Sequence, residues 1–567
     1  MNFIFSYKFF FFSVCVFPFL VFFHLFPVQN FIEYWFLTFA LGVMFLGFLG
    51  GGQFGCSNAA FVVAFLFLSL LVLASIGGGS ASFSLAMFFV FGLFLFLASS
   101  LSFLYSEKVG WVRYFRGLAV FLCAGAALQG VAALLLYLGV MHYFLSELLP
   151  APSARMLGFI AQSNLLAVYM FAGLVSVIYI SLVDKAPRPS SVLLLAAMFF
   201  SFILAGSGSR AAILNLFLCI GSFFLLRYKL RVSWGWVFLW CFSIVGGFAS
   251  FYLLGDILLE IFLGWGFLAE RYSVVEVMRS GSMDFRLGEI YKSWVMIDGK
   301  EIFGVGFGNY GRVSQALLVS GYGESINSFP YHSHNFFAQV LAEFGLSGIL
   351  VLFVSCGALL WLADFKGRFL EVYFISLVSW AFLVNSMIEY VLWYMHFSVL
   401  LVVCVSPFFG GSIKVVAFRS RLLVGFTFSF LVFLGSFYAW SAYLICLRSI
   451  KGYGAEEAIV ELRRAGEGWW FGNEIKLLQT HHFRPSSSDL AYQDHVTGIL
   501  MEWRPYDHVM FRRMHVLILQ GDRESAVKLA GEFRVAYPLR VEQAKKFFSG
   551  DGFDSYVVAG AVVKALD

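Results

Sequence analysis

One long apolar stretch follows another along this chain, and that succession constrains the fold more than any other feature. Stretches near 9–27, 34–50, 59–76, 83–104, 117–140, 160–183, 191–206, 211–227, 233–254, 335–363, 371–387, 391–411 and 422–446 are close to the length a bilayer crossing needs. A crossing helix takes about 20 residues. The hydrocarbon core offers no water to bare backbone groups, so segments that cross it close their hydrogen bonds internally, as helices. The expected fold class is therefore all-α, a polytopic membrane protein of about 12–13 transmembrane helices. Composition agrees: 60% of residues are hydrophobic, 13% are charged and the mean hydropathy is +0.85. A soluble domain carries about twice that charge fraction.

Lys and Arg near helix ends set orientation. With Lys8 on the cytoplasmic side, the cytoplasmic loops carry Lys108, Arg113 and Arg116, then Lys185 and Arg188, then Arg227, Lys229 and Arg231. Lys366 with Arg368, and Lys414 with Arg419 and Arg421, continue the alternation, while loops near 28–33, 77–82 and 386–390 have no Lys or Arg. Four regions follow: transmembrane helices over 1–254, a large periplasmic loop over 255–334, further transmembrane helices over 335–447 and a periplasmic helical region over 448–567. In the last, Arg512–Pro538 reads as a helical hairpin of tetratricopeptide kind around a Gly521-Asp522 turn. The first apolar segment lacks a small-residue cleavage site and reads as a retained helix. Of the eight cysteines only Cys56 lies outside apolar runs, and no C-x-x-C occurs, which argues against a disulfide framework or thiolate zinc site. The net charge of +5 forms no basic stripe, so nucleic acid is not an expected partner.

The sharpest polar cluster is Tyr331-His332-Ser333-His334-Asn335, where the long loop re-enters the membrane. A neutral imidazole with a pKa near 6.5 takes a proton from a hydroxyl at neutral pH, and Asn335 would orient it or hold a substrate oxygen. Helix capping at the interface is the alternative. The second cluster is Gly206-Ser207-Gly208-Ser209-Arg210 ahead of an apolar helix. Small residues leave N–H groups at the helix start free for an anion, and Arg210 adds a fork that matches phosphate oxygens. Snorkelling of one interfacial arginine is its alternative. The third is Asp284-Phe285-Arg286, ahead of the glycine-rich Gly304–Asn309, in which Arg286 is a second anion ligand or a partner of Asp284. The glycine run lacks the G-x-G-x-x-G spacing of a nucleotide fingerprint and is expected to fold tightly over the membrane surface. Arg155, Gly158, Gln162 and Asn164 form a weaker set, as do Glu389, Tyr390, Trp393 and Tyr394. His24, Pro27 and Glu33 form another outer-face group with a structural role. No Asp/Glu-rich metal site is present.

These clusters share one leaflet and supply a base, several arginines, and amide and phenol hydrogen-bonders. That set suits transfer from a diphosphate, which leaves without a general acid when cations stabilise its charge. A carrier without chemistry would need polar residues through the bilayer midplane instead.

The series RMLGFIAQSN (155–164), GSGSRAAIL (206–214), DFRLGEIYKSW (284–294), FGVGFGNY (303–310), HSHNFFAQVLAEFGLSG (332–348) and SMIEYVLWY (386–394) resembles the bacterial O-antigen ligase and O-oligosaccharyltransferase superfamily over most of 1–450. The C-terminal region, Gln162 and Glu389-Tyr390 resemble its protein-glycosylating branch, which acts on pilins. This resemblance implies a metal-independent, cofactor-free glycosyltransferase of the inner membrane, with its site on the periplasmic face. The donor would be an undecaprenyl-diphosphate-linked oligosaccharide and the acceptor a Ser or Thr of a pilin or other exported protein. It further implies His334 as the catalytic residue, Arg210, Arg286 and Arg155 as diphosphate ligands, and Gln162, Asn335, Tyr390, His332 and Glu389 as positioning groups. Ligation to lipid A core and polymerisation of lipid-linked repeats share the chemistry. Two positions depart from the family pattern: Val391 and Ser163 stand where proline is usual.

Overall fold

The computed structural model describes residues 3–22, 24, 30–50, 55–76, 82–145, 153, 155–184, 189–267, 283–323, 329–330, 332–409, 412–414, single positions between 434 and 447, and 462–464, 472–482, 489–550, 553 and 557–567. The fold is all-α and polytopic. Among the described residues seven helices are long and apolar enough to cross a membrane: Asn58–Ile76, Trp111–Tyr137, Ser163–Val183, Arg210–Leu230, Trp234–Gly264, Phe336–Leu362 and Phe369–Ser386. Shorter apolar helices at Tyr7–Leu20, Phe31–Met44, Ser191–Gly206 and Met395–Phe408 fall on further expected crossings. Most of the stretch at 422–446 lies outside the described residues, as does Tyr331. The helix that begins at Trp234 runs unbroken to Gly264, past the point where the long loop was expected to begin. The described strands are Gly55–Ser57 and Ser412–Lys414, which pair antiparallel.

The chain divides into two compact units. The first comprises Met1–Phe65, Phe91–Gly281 and Ser355–Ser436. Its centre is helix Ser163–Val183, whose side chains are nearly all buried. Around it pack helices Trp111–Tyr137, Ser191–Gly206, Arg210–Leu230 and Phe369–Ser386. Small residues bring helices together where lipid offers no hydrophobic drive. At Gly247, for example, a Cβ would lie 2.2 Å from the Met198 carbonyl oxygen. Phe217, Phe224, Phe238 and Phe242 stay exposed, as expected of side chains facing acyl chains.

The second unit comprises Leu66–Val90, Ser282–Val354 and Phe437–Asp567. Helix Phe336–Leu362 is broken at Gly345, which has φ 64° and ψ −160°. The segment ahead of the break packs Val340 and Phe344 against Leu70 and Ala74. The C-terminal hairpin is present as helices Asp507–Gln520 and Arg523–Ala536. Gly521 takes the left-handed cap at φ 78°, and the Asp522 side chain accepts from the Ser525 N–H at 3.1 Å, the usual chemistry of a helix stop followed by a start. The first helix of the pair starts at Asp507, ahead of the expected Arg512. Tyr537 closes the hairpin by donating its OH to the Pro505 carbonyl at 2.8 Å.

Candidate functional site

In the first unit, the loop 155–162 lies against the turn 206–209. The Met156 N–H donates to the Gly206 carbonyl at 2.9 Å, which brings the Arg155 segment beside the start of helix Arg210–Leu230. That helix begins at Arg210 itself, an exposed cation at the positive end of the helix dipole. Ser207 holds the turn, donating its Oγ to the Leu204 carbonyl at 2.7 Å and accepting the Ser209 N–H at 3.3 Å.

The 155–162 loop is locked from several sides. Gln129 Oε1 accepts the Phe159 N–H at 3.3 Å, and the Phe159 carbonyl lies 2.5 Å from His24 Nε2. His24 Nδ1 stands 3.5 Å from Glu33, so this pair serves the loop's geometry. Helix Ser163–Val183 then opens at Ser163, the first helical position, where proline is favoured for its fixed φ. Serine fits the same position, and its Oγ accepts from Arg155 Nη1 at 3.3 Å. The departure from the family pattern thus gives an arginine a partner. Asn164 Nδ2 donates to Glu389 Oε1 at 2.7 Å, both side chains being buried. Glu389 therefore fixes the loop that carries Tyr390. Val391 starts a short 3-10 turn, Val391–Trp393, so this corner forms without the usual proline. The Tyr390 ring stacks on Tyr394 at 5.6 Å, and burial holds its phenol above the ordinary range. Gln162 Oε1 is buried with no hydrogen-bond partner among the described residues. A buried amide oxygen in that condition calls for an explanation, and a bound substrate is one.

In the second unit, the His-Ser-His-Asn run is a tight turn at the start of helix Phe336–Leu362. His334 has φ 55°, a left-handed conformation that a residue with a Cβ adopts at a cost of about 1–3 kcal/mol. Three hydrogen bonds hold it there. Ser333 Oγ donates to the Asn335 carbonyl at 2.7 Å, and Gln339 Oε1 accepts the Ser333 N–H at 2.9 Å. Asn335 Oδ1 accepts the Ala338 N–H at 3.0 Å, which makes Asn335 the helix cap. The His332 imidazole is pushed down to about 3 by burial first, then by the neighbouring His334 and the Arg504 guanidinium, so it stays neutral at physiological pH.

Arg286 is half-buried on helix Met283–Met296, while the Asp284 side chain lies outside the described residues. Beneath that helix is a buried polar network whose members the sequence did not single out. Lys292 Nζ donates to Glu289 Oε1 at 2.6 Å, and Glu289 Oε2 accepts from Tyr310 OH at 2.7 Å and Ser314 Oγ at 3.0 Å. Desolvation, with the adjacent Glu289, holds the Tyr310 phenol well above its usual range, so it remains a donor. The i, i+3 spacing of Glu289 and Lys292 was the available signal, but such pairs are far more common on solvated faces.

The glycine run packs against the broken helix rather than forming a free loop. Val305 N–H donates to the Ala342 carbonyl at 2.8 Å, Gly306 N–H to that of Glu343 at 3.1 Å and Leu346 N–H to that of Glu301 at 2.8 Å. Backbone meets backbone here. A Cβ on Gly304 would lie 2.4 Å from the Ala342 oxygen, and one on Gly345 would lie 2.5 Å from the Ile302 oxygen. Glu343, also missed in the sequence, adds its Oε1 as acceptor for the Gly308 N–H at 3.1 Å. The His turn, the glycine run and the Arg286 helix thus rest on one hydrogen-bonded frame within this unit.

Among the described residues no group of three or more His, Cys, Asp or Glu could hold a metal ion. The chemistry on offer is that of a preorganised imidazole, a neutral second imidazole and guanidinium groups. Residues 193–353 match a family model described as O-antigen ligase. The matched range contains Arg210, Arg286, His332, His334 and Asn335, whereas Arg155, Gln162, Glu389 and Tyr390 fall outside it. No curated protein matches the sequence.

Proposed function

We propose, from the match of residues 193–353 to the O-antigen ligase family model, that this chain is a protein O-oligosaccharyltransferase. It would act at the outer face of the bacterial inner membrane, moving a glycan en bloc from undecaprenyl diphosphate to a Ser or Thr of an exported protein such as a pilin. The observation that carries the reading is the His334 turn, where a strained backbone is held by Ser333, Asn335 and Gln339. Strain of that kind persists only where the surroundings over-determine it, and it clusters at functional sites.

In the reaction, His334 takes the proton of the acceptor hydroxyl. The hydroxyl oxygen forms the new bond to the anomeric carbon. The bond from that carbon to the diphosphate oxygen breaks, and its electron pair stays on undecaprenyl diphosphate. Arg286, in the same unit as His334, stabilises that growing charge, which replaces a general acid; that Arg210 and Arg155 of the first unit are diphosphate ligands rests on the family resemblance alone. Within the first unit, Gln162, whose buried Oε1 has no partner among the described residues, and Tyr390, a neutral phenol, are the groups suited to hold a glycan or lipid-diphosphate oxygen. Asn335 and Glu389 act through the backbone they fix. His332, kept neutral by burial, supports the turn.

The family description favours a second reading in which a lipid A core sugar is the acceptor. One experiment separates the two. Wild type and His334→Ala are purified in detergent and incubated with undecaprenyl-diphosphate-linked glycan plus either a pilin or lipid A core, with EDTA present. A glycan-sized mass gain on pilin with wild type alone is the expected result. Transfer only to lipid A core overturns the acceptor, and transfer to neither overturns both readings.

A further inference from the structure

The C-terminal helices and the segment leading into the histidine turn share a core within the second unit. Phe329, three residues ahead of His332, is buried among Leu477, Val496, Leu500, Trp503 and Val509, and its ring lies 5.3 Å from that of Tyr506. Helix Tyr310–Val319, which follows the glycine run, comes close enough that a Cβ on Gly311 would lie 2.5 Å from the Phe329 ring. Trp503 and Tyr506, which grip Phe329, flank Arg504. Arg504 precedes Pro505, a position that proline forces out of the helical region. Its backbone is extended, at φ −150° and ψ 92°, and helix Leu490–Trp503 stops there. The guanidinium sits 4.3 Å from the Trp503 ring centre, half-buried and within electrostatic range of His332 and Glu474.

We propose that Arg504 is a substrate-binding residue of the candidate site, brought by the C-terminal domain to the His332–His334 turn to engage a phosphate oxygen of the lipid-diphosphate donor. The inference rests on the transferase reading above. A stacked guanidinium is a pre-oriented fork, the geometry that suits phosphate better than a neutral hydroxyl. The diphosphate is also the anion that the reaction itself must bring to this turn. Burial, the neighbouring His334 and this same cation keep His332 neutral, so the charge that meets the anion there is that of Arg504. The C-terminal domain then has a role in donor recognition, in addition to holding the loop by Phe329.

The competing role for Arg504 is to balance Glu474, whose carboxyl is held above its usual range by burial and drawn back by this arginine. A double-mutant cycle distinguishes them. Full-length wild type, R504Q, R504K, E474Q and R504Q/E474Q are titrated with undecaprenyl diphosphate by native mass spectrometry in detergent, with no acceptor present. R504Q is expected to bind about tenfold or more weakly, the loss of a charge-assisted hydrogen bond, with R504K between it and wild type. The double variant should bind as weakly as R504Q, while E474Q binds at least as well as wild type. Binding by R504Q within twofold of wild type overturns the inference, as does restored affinity in the double variant. If R504Q melts early, R504K decides: a threefold or greater loss supports the fork, and full affinity overturns it. Because no acceptor enters this assay, failure of glycan transfer to pilin would leave its outcome unaffected.

Discussion

Replacing Ser333 by alanine tests the central claim, that the backbone of the histidine turn is held in a costly conformation by hydrogen bonds. Ser333 is fully buried. Its Oγ donates to the Asn335 carbonyl at 2.7 Å and accepts the Asn335 N–H at 3.3 Å, bridging the residue in left-handed conformation between them. Deleting the hydroxyl removes a contact worth about 0.5–1.5 kcal/mol and leaves a carbonyl unsatisfied, at about 1–3 kcal/mol where water cannot reach it. That loss is comparable to the strain of about 1–3 kcal/mol at His334, so the turn is expected to relax for much of the time. Each 1.4 kcal/mol against the competent conformer lowers its population, and the apparent rate, about tenfold. Ser333→Ala is therefore expected to lose about tenfold in single-turnover rate, with the donor concentration for half-saturation unchanged. His334→Ala, which removes the base, is expected to lose about 10²–10⁴-fold. The assay is rapid-quench transfer in detergent, read as intact acceptor mass. A Ser333→Ala rate within twofold of wild type would mean that this hydroxyl does not hold the turn, and a selective rise in half-saturation would show that the serine binds substrate instead.

Four further outcomes follow from the same structure. Lys292→Met leaves Glu289 buried without its cation and should destabilise the second unit by about 3–5 kcal/mol, whereas pairing it with Glu289→Gln should recover much of that; detergent melts compare the two. Gly304→Ala combines a φ of 68° with a Cβ 2.4 Å from the Ala342 oxygen, so a loss of about 1–3 kcal/mol or more is expected in the same melt, with no change only if the glycine run is not packed on the broken helix. His332 is held at about 3, below an unfolded value near 6.5, so the native state binds fewer protons between those limits. Stability should fall as pH drops through that window, and His332→Gln should flatten the fall in a series of melts. Ser163→Pro suits the first helical position but removes the Arg155 partner, so stability should hold while transfer falls by less than tenfold; a lower melting point would contradict the helix-start argument.

The membrane character and helical class were fixed by the sequence alone, because runs of about 20 apolar residues have one economical solution in a bilayer. The turn at Gly521-Asp522 was legible for a similar reason, because its capping chemistry is local. The motif residues were legible as clusters, since two histidines and an asparagine in four residues stand out against an apolar background. Their roles within each cluster were not. The cap by Asn335 and the pairing of Ser163 with Arg155 are short-range but depend on the turn each chain segment takes, whereas the bond from Asn164 to Glu389 joins segments far apart in sequence. The frame beneath them was hidden altogether. Glu289, Lys292, Gln339 and Glu343 look like ordinary polar positions until tertiary packing buries them, where each must find a partner or be costly. The glycine run showed only that the chain turns tightly; the mutual approach of Gly304 and Gly345, backbone against backbone, shows what the turns are for. Arg504 sits 170 residues beyond His334 in a region whose composition says only that it is helical. Its position beside the histidine turn is set by the burial of Phe329, an interaction between distant side chains that no local pattern encodes.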